Sequence, residues 1–176
     1  MASIVHLDKV KQLAVEDVSK LWISHLSQKP NVVSAVVPIQ TYRHLNARTM
    51  QFPHFVVPLP RSQGIIPYMM QHQGHETHFT PLDEFKIDPV KARSHLSLRH
   101  FPELAESHKI VLMMGEIFHV DNSPVLDSQE AQYLASTVQW WYNNEGSRWK
   151  LVQQFGKGDP TWTWERVLIE ADSLSS

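Results

Sequence analysis

The chain has 176 residues and a formal net charge of −2, with 42% apolar and 19% charged residues. These values describe a globular domain large enough to bury a core, and they exclude the basic surface that binding to nucleic acid requires. Cysteine is absent, which excludes disulfides, thiol catalysis and cysteine-ligated metals. No apolar run reaches the about 20 residues of a transmembrane helix, so we expect no membrane insertion.

The N-terminal part of the chain predicts two helices separated by one strand. Residues 1–14 are expected to form a loosely ordered lead-in, and from Val15 the apolar residues follow helical spacing. The β-branched run at residues 32–37 predicts a strand. Pro38 then opens a second helix that continues to Met50.

Residues 54–80 predict three strands joined by two tight turns. Pro58, Pro60 and Pro67 cannot donate to a strand ladder, so we expect the first hairpin at an accessible edge of the sheet. Arg61 lies at the turn of this hairpin and is expected to face solvent. It is either a solvated turn arginine or an arginine that pairs with an acidic group of a partner.

The stretch from residue 88 to residue 114 contains the strand around which we expect the fold to be organised. Asp88-Pro89 predicts the start of a short helix through Ala92, and residues 95–101 are interpreted as a strand. Residues 110–114 are apolar without polar alternation. Such a run is typical of a strand that is covered on both faces.

A long amphipathic helix follows the covered strand. Asp127 or Ser128 can cap it, and Glu130 lies in its first turn. Its apolar residues recur at three- and four-residue steps and form one stripe. The stripe consists of Ala131, Leu134, Ala135, Val138, Trp141 and Tyr142.

The C-terminal segment predicts two further helices. Trp149, Val152 and Phe155 keep helical spacing up to Gly156, and the last helix is expected over residues 164–174. Strands in the middle with helices at both ends indicate an α+β fold. We predict one domain over residues 1–176, with a largely antiparallel β-sheet and helices packed mainly on one face.

The sequence contains no motif that predicts a catalytic or metal site. His72, His75 and His78 are the closest histidine set, but on a strand the middle one points away from the other two. Residues 156–159 lack the spacing and the serine or threonine of a phosphate-binding loop, and no G-x-S-x-G elbow occurs. We therefore expect no metal, no cofactor and no enzymatic activity.

Two aromatic residues of the long helix lie away from its apolar stripe. Counting about 100° per residue from Ala131, Tyr133 and Trp140 fall near 200° and 180°, roughly opposite the stripe and in line with each other. Five of the six tryptophans lie at or after Trp140. Either the segment with Trp162 and Trp164 covers this face, or Tyr133 and Trp140 bind a partner, because tryptophan and tyrosine are enriched among binding hot spots.

Several segments, in order along nearly the whole chain, resemble the mitochondrial F1-ATPase assembly factor 1 family. They are residues 7–11 and the helix around Trp22, 58–61 with Gly64, 76–80, 100–104, 110–113 with Glu116, 130–142 and 151–155. The resemblance implies a chaperone that acts without nucleotide and has no catalytic residues. It also implies that the partner is the free β subunit of F1, which the chaperone shields until the α subunit replaces it.

The same resemblance implies a location in the mitochondrial matrix. An Arg-rich import segment and a secretory signal are both missing at the start, so for an imported protein we expect the processed form. We expect the free protein to be monomeric, with Tyr133, Trp140 and Arg61 as the candidate partner-binding residues.

Two alternatives come from the residues themselves. A small-ligand or lipid-binding α+β domain would use the concave face of the sheet as a pocket. A hydrolase with dispersed catalytic groups would need a polar cleft with a histidine within hydrogen-bond reach of a serine and an acid.

Overall fold

A computed structural model describes residues 4–173 of the chain. The helices are α1 (Leu7–Val10), α2 (Val15–Ser27), α3 (Ile39–Gln51), α4 (Leu82–Ile87), α5 (Ala105–His108), α6 (Ser128–Tyr142), α7 (Ser147–Gly156) and α8 (Trp164–Asp172). The strands are β1 (Val32–Pro38), β2 (His54–Arg61), β3 (Gly64–Gln73), β4 (Glu76–Pro81), β5 (Leu96–Phe101), β6 (Ile110–Ile117), β7 (His119–Val120) and β8 (Ser123–Pro124). Residues 1–3 of the predicted lead-in and the predicted helical residue Leu174 lie outside the described residues.

The main sheet has six strands in the order β1-β6-β5-β4-β3-β2, and every neighbouring pair is antiparallel. The sheet curls around α6, which contacts both of its outermost strands, β1 and β2. The α+β fold and the antiparallel sheet are confirmed.

Helices cover the sheet unevenly on its two faces. The larger cluster of buried side chains lies on the concave face with α3, α6, α7 and α8, whereas α1 and α2 pack on the other face. Within β6, Val111 and Met113 join the larger cluster while Leu112 and Met114 join the smaller one. The prediction that this strand is covered on both faces is therefore confirmed.

The lead-in to α2 takes part in the smaller cluster. It contains the four-residue helix α1, and the side chain of Val10 is buried. Trp22 of α2 donates from Nε1 to the carbonyl oxygen of Met113 at 3.0 Å and packs edge-on against Phe101. The loose order expected for residues 1–14 stays a prediction, but Val10 is tied to the core.

The start of α6 is fixed by a reciprocal cap. The Asp127 carboxylate accepts from the backbone N–H of Glu130 at 2.8 Å, and the Glu130 carboxylate accepts from the N–H of Asp127 at 2.9 Å. This arrangement satisfies two backbone donors that a helix terminus otherwise leaves unpaired. Of the two caps that the sequence offered, Asp127 is the one that forms.

The end of α6 is held by an arginine of α3. The Nη1 atom of Arg48 donates to the carbonyl oxygens of Tyr142 and Asn144 at 2.8 and 2.9 Å, and Nη2 pairs with Glu145 at 2.7 Å. The same guanidinium lies 4.3 Å from the ring centre of Trp149. Arg48 of α3 therefore binds the end of α6 through its exposed carbonyl groups and contacts α7 through the ring of Trp149.

The short helix expected at Asp88 was predicted in the wrong place. The helix is α4, six residues earlier, and residues 89–91 form a turn in which Asp88 Oδ1 accepts from the N–H groups of Val90 and Lys91. A side chain that bonds its own following backbone in this way competes with helix formation. α4 itself packs against β3 and β4, which is a tertiary contact.

The predicted edge position of the first hairpin is confirmed, because β2 is the outermost strand on its side of the sheet. The expected accessibility is not found, since residues 55–59 are buried and β2 contacts α7 and α8. The Pro53 carbonyl accepts a hydrogen bond from the His72 N–H, and this bond shows which residues of β2 are hydrogen-bonded to β3. Residues 55, 57 and 59 then point their backbone groups at β3, and the even-numbered residues point outward. Pro58 and Pro60 occupy outward positions, where no donor is lost from the ladder.

Gly115 of β6 is required by close packing between strands. A Cβ atom at this position would lie 2.6 Å from Val33 Cγ2 and 2.6 Å from Leu98 Cδ2. We expect Gly115→Ala to lower the free energy of unfolding by about 1–3 kcal/mol, because overpacking forces neighbours off their rotamers. Denaturant unfolding measures this loss. The double variant with Val33→Ala should lose less than the sum of the two single losses, and additive losses would contradict the proposed clash.

Candidate protein-binding surface on the long helix

Tyr133 and Trp140 of α6 form one aromatic pair. Their ring centres lie 5.3 Å apart and their planes meet at 79°, the edge-to-face arrangement that aromatic rings prefer. Both side chains are half-buried and pack at the margin of the larger cluster, and burial raises the pKa of the Tyr133 hydroxyl. The prediction that these two rings lie in line with each other on the helix is confirmed, because they are in contact. Neither ring lies fully on the outer face of α6.

An open groove lies on each side of this pair. One, of about 290 Å³, separates α6 from β1 and is lined by Trp140, Gln132 and Gln139 among others. The other, of about 530 Å³, separates α6 from the β2–β3 turn and is lined by Tyr133. The two glutamines were not singled out from the sequence. Their seven-residue spacing on one side of the helix is the signal that could have found them.

Trp162 and Trp164 do not cover Tyr133 and Trp140, as one of the two alternatives drawn from the sequence expected. Trp162 packs on Phe155 with ring centres 5.1 Å apart and planes tilted by 59°. Together with Trp164 these rings line a different groove, against Val56 and Phe85. Tyr133 and Trp140 instead cover each other, because residues seven apart lie on the same side of a helix.

Arg61 lies at the hairpin turn as expected, but its side chain is not free in solvent. Nε donates to Glu130 Oε1 at 2.5 Å and Nη2 donates to Glu130 Oε2 at 3.1 Å, with a further bond from Nη2 to the Val125 carbonyl at 3.3 Å. The hydrogen bond to Glu130 raises the pKa of Arg61.

This ion pair corrects the expectation of a solvated turn arginine. Glu130 also caps α6, so one carboxylate connects the hairpin to the helix start. A two-point pair with 33% and 19% exposed side chains is a structural contact. None of these bonds uses Nη1 of Arg61, so an acidic group of a partner would have to bind at that edge or compete with Glu130, and the main anchors of the candidate surface are Tyr133 and Trp140.

The pocket expected for a small-ligand or lipid-binding protein is filled. Leu134, Val138 and Trp141 of α6 are buried in the concave face of the sheet. The groove beside Trp162 and Trp164 is apolar and has a volume of about 550 Å³, but it lies at the β2 edge. The interior of the sheet therefore carries no ligand site of the predicted kind in the described part of the chain.

A serine, a histidine and an acid do meet on the other face of β4 and β5. Ser97 Oγ lies 3.0 Å from His78 Nδ1, and His78 Nε2 lies 3.3 Å from Glu76 Oε2. Glu76 is also paired with Arg99 at 2.7 Å. Ser97 sits in mid-strand between two bonded neighbours, so its backbone N–H is committed to the sheet and cannot build an oxyanion hole.

The close histidine set does not form a metal site. Among residues 4–173, no group of three histidine, aspartate or glutamate side chains converges to hold an ion. His72 is instead half-buried, with Nδ1 2.8 Å from Thr77 Oγ1 and its ring edge-on to Tyr142. His75 Nδ1 contacts the Tyr42 hydroxyl at 2.5 Å.

Two histidines of this region have lowered pKa values. Burial, aided by repulsion from His100, His54 and His78, lowers the pKa of His72 to about 3. Burial likewise lowers the pKa of His100 to about 4, against the opposing effect of a backbone hydrogen bond with His75. His100 is buried and His72 is half-buried, and neither has the partners of a catalytic base.

The fold defines the class of protein: an α+β domain in which a curled antiparallel sheet surrounds one long helix that carries an aromatic pair on its flank. A family model described as ATP11 protein matches residues 1–168, and the chain belongs to this family. No helix among the described residues has the length and hydropathy to cross a membrane.

Relatives match along almost the whole chain. ATP synthase mitochondrial F1 complex assembly factor 1 of Homo sapiens is 31% identical over 173 residues, which cover 98% of this chain and 51% of the relative. The protein of the same name from Danio rerio is also 31% identical, over 98% of this chain and 56% of the relative. Protein atp11, mitochondrial, of Schizosaccharomyces pombe is 28% identical over 88% of this chain and 56% of the relative. The chain thus spans about half the length of these relatives.

The lowered pKa values of His72 and His100 predict a loss of stability in acid. Because folding lowers the pKa values of His72 and His100, the unfolded chain binds more protons below pH 6.5, and stability falls as the pH drops from 6.5 towards 4. Each histidine contributes a slope of about 1.4 kcal/mol per pH unit. Denaturant unfolding at pH 7, 6 and 5 should show a shallower slope for His72→Gln. The exposed control His25→Gln should keep the slope of the natural chain, and an unchanged slope in His72→Gln would contradict the assignment.

Proposed function

We propose that this protein is an assembly chaperone that binds the free β subunit of mitochondrial F1-ATPase. It shields the apolar interface of that subunit without using nucleotide, and the α subunit displaces it during assembly. The observation that carries the proposal is the match of 98% of the chain to relatives named as F1 complex assembly factors. The mitochondrial names of these relatives support a location in mitochondria, and we place the protein in the matrix.

The surface beside α6 supports binding to a protein. Tyr133 and Trp140 are large, rigid and half-buried, so they can gain further contact area at little entropic cost. The flanking groove with Trp140 has an uncharged lining of small and amide side chains. A patch of this kind suits a transient partner that must later be replaced.

The arrangement of charged groups supports a role without chemistry. Arg61, Arg48 and Arg99 are each paired with a glutamate of this chain. In the contact between Ser97, His78 and Glu76, the backbone N–H of Ser97 is bonded within the sheet and is not free to bind an oxyanion. We therefore propose a non-enzymatic protein that needs no cofactor and is monomeric until it meets its partner.

The first test uses the aggregation of the isolated β subunit. We expect an equimolar amount of this protein to suppress the light scattering of β on warming, with no effect of added ATP, and to be released when the α subunit is added. Light scattering and size-exclusion chromatography measure the two steps. Unchanged aggregation of a β subunit that can still assemble with α would show that the family role does not extend to this chain.

The second test removes the aromatic pair. Replacing Tyr133 and Trp140 together with Gln should weaken β binding by at least about tenfold, since an interface aromatic contributes roughly 2 kcal/mol when buried. Calorimetry measures the affinity and thermal unfolding measures stability. The matched control replaces the exposed Ile87 and Val90 with Ser, and it should leave binding intact. A double variant that loses stability but keeps its affinity would make the pair part of the core and place the interface elsewhere.

A further inference from the structure

The outer edge of β1 presents backbone groups that pair with no other strand among residues 4–173. The N–H of Ile39 donates to the carbonyl of Lys109, and the N–H of Ile117 donates to the carbonyl of Asn31. In this register the odd-numbered residues of β1 bond to β6, and the even-numbered ones point away from it. β1 is the outermost strand, so within the described residues no strand pairs with this side. The outward groups are the N–H of Val32, Ser34 and Val36 and the carbonyls of residues 32, 34, 36 and 38.

The two outermost strands of the sheet differ in the residues at their outward positions. At β2, the outward positions 58 and 60 are prolines, which remove two of the donors that another strand would need. In β1, the residues before Pro38 include neither proline nor a charged side chain, and four of the six are valine. Proteins usually protect such a strand against pairing with other chains. The unprotected edge is therefore a specific feature of β1.

A groove runs beside the open edge and provides a place for side chains. Its volume is about 290 Å³, with Ser34 and Ala35 of β1 on one side and Ser136 and Trp140 of α6 on the other. Of the described residues that line it, none is ionisable. A strand paired with β1 would direct every second side chain into this groove, because side chains alternate between the faces of a sheet.

We propose that β1 is a strand-addition site, which takes an uncharged extended segment of the partner protein as an additional strand of the sheet. The backbone groups of β1 supply the hydrogen bonds, and the groove with Trp140 selects small or apolar side chains. The identity of the partner as the F1 β subunit rests on the proposed function. The strand edge lies beside Trp140, so it adjoins the aromatic pair of the proposed binding surface.

A second copy of this chain fits the site less well than a different partner. In β1 the side chains that face α6 are Val33, Ala35 and Val37, and the two valines are buried in their own core. A second β1 could therefore pair its backbone but could not place these side chains in the neighbouring groove. The occupant must be a segment whose side chains on that face are free before binding.

The test places a proline at one outward position. Ser34→Pro removes an outward donor and adds a ring on the open side, while the bonds from β1 to β6 remain, as they do for Pro58 and Pro60 in β2. The control Ser34→Ala removes the hydroxyl and keeps the donor. With isolated F1 β subunit as the probe, we expect Ser34→Pro to weaken binding at least about tenfold and Ser34→Ala to bind as the natural chain does. Thermal unfolding checks that both variants are folded, and Val36→Pro replaces Ser34→Pro if that variant is not.

Hydrogen exchange on the natural chain gives an independent readout. The amides of Val32, Ser34 and Val36 should exchange rapidly in the free protein and become protected when β subunit is added, whereas those of Val33 and Ala35 are protected in both states. If β binds equally well to folded proline variants and these amides stay fast, the strand-addition site is overturned while the proposed function stands. If β does not bind the natural chain at all, both proposals fail. Self-association of the natural chain that Ser34→Pro abolishes, measured by sedimentation, would make a second copy the occupant and overturn the proposal.

Discussion

The fit of α6 into the concave face of the sheet is the constraint on which the rest of this structure depends. Leu134 and Trp141 are fully buried there, and the Tyr142 hydroxyl donates to the Phe52 carbonyl at 2.7 Å. To enclose a helix in this way the sheet must curl until both outermost strands contact it. Removal of this apolar stripe from water is the main favourable contribution to the packing of α6. The contacts at the two ends of α6 fix its position along the concave face of the sheet.

Those two caps explain why several charged residues are not available for recognition. Glu130 binds the first turn of α6 and also Arg61, whereas Arg48 binds the carbonyl groups after the last turn. A partner's charged group would have to compete with these internal contacts. The surface that we propose for binding is instead formed by aromatic rings, amide side chains and the outer edge of β1.

The curl of the sheet also determines where this surface lies. A helix in a concave face cannot bury its whole circumference, so Tyr133 and Trp140 remain at the margin of the core. The same geometry brings the β1 edge beside Trp140 and the β2–β3 turn beside Tyr133. An accessible edge next to half-buried aromatics is suited to a partner that contributes both backbone hydrogen bonds and apolar side chains.

The sequence by itself determined the features that depend on neighbouring residues along the chain. The valine-rich β1, the apolar β6 and the periodic α6 could be predicted because local periodicity reports which faces are buried, and prolines at Pro58 and Pro60 were sufficient to place β2 at an edge.

The tertiary structure alone decided the features that join distant segments. Arg61 and Glu130 are 69 residues apart, and nothing in the turn around Arg61 reveals that an acid lies opposite it at the start of a helix. The α4 helix forms at Leu82 because β3 and β4 offer it a surface, and β1 became an open edge only when the strand order was fixed. Strand order and ion pairing result from which surfaces meet in space, and the local pattern of side chains does not encode that choice.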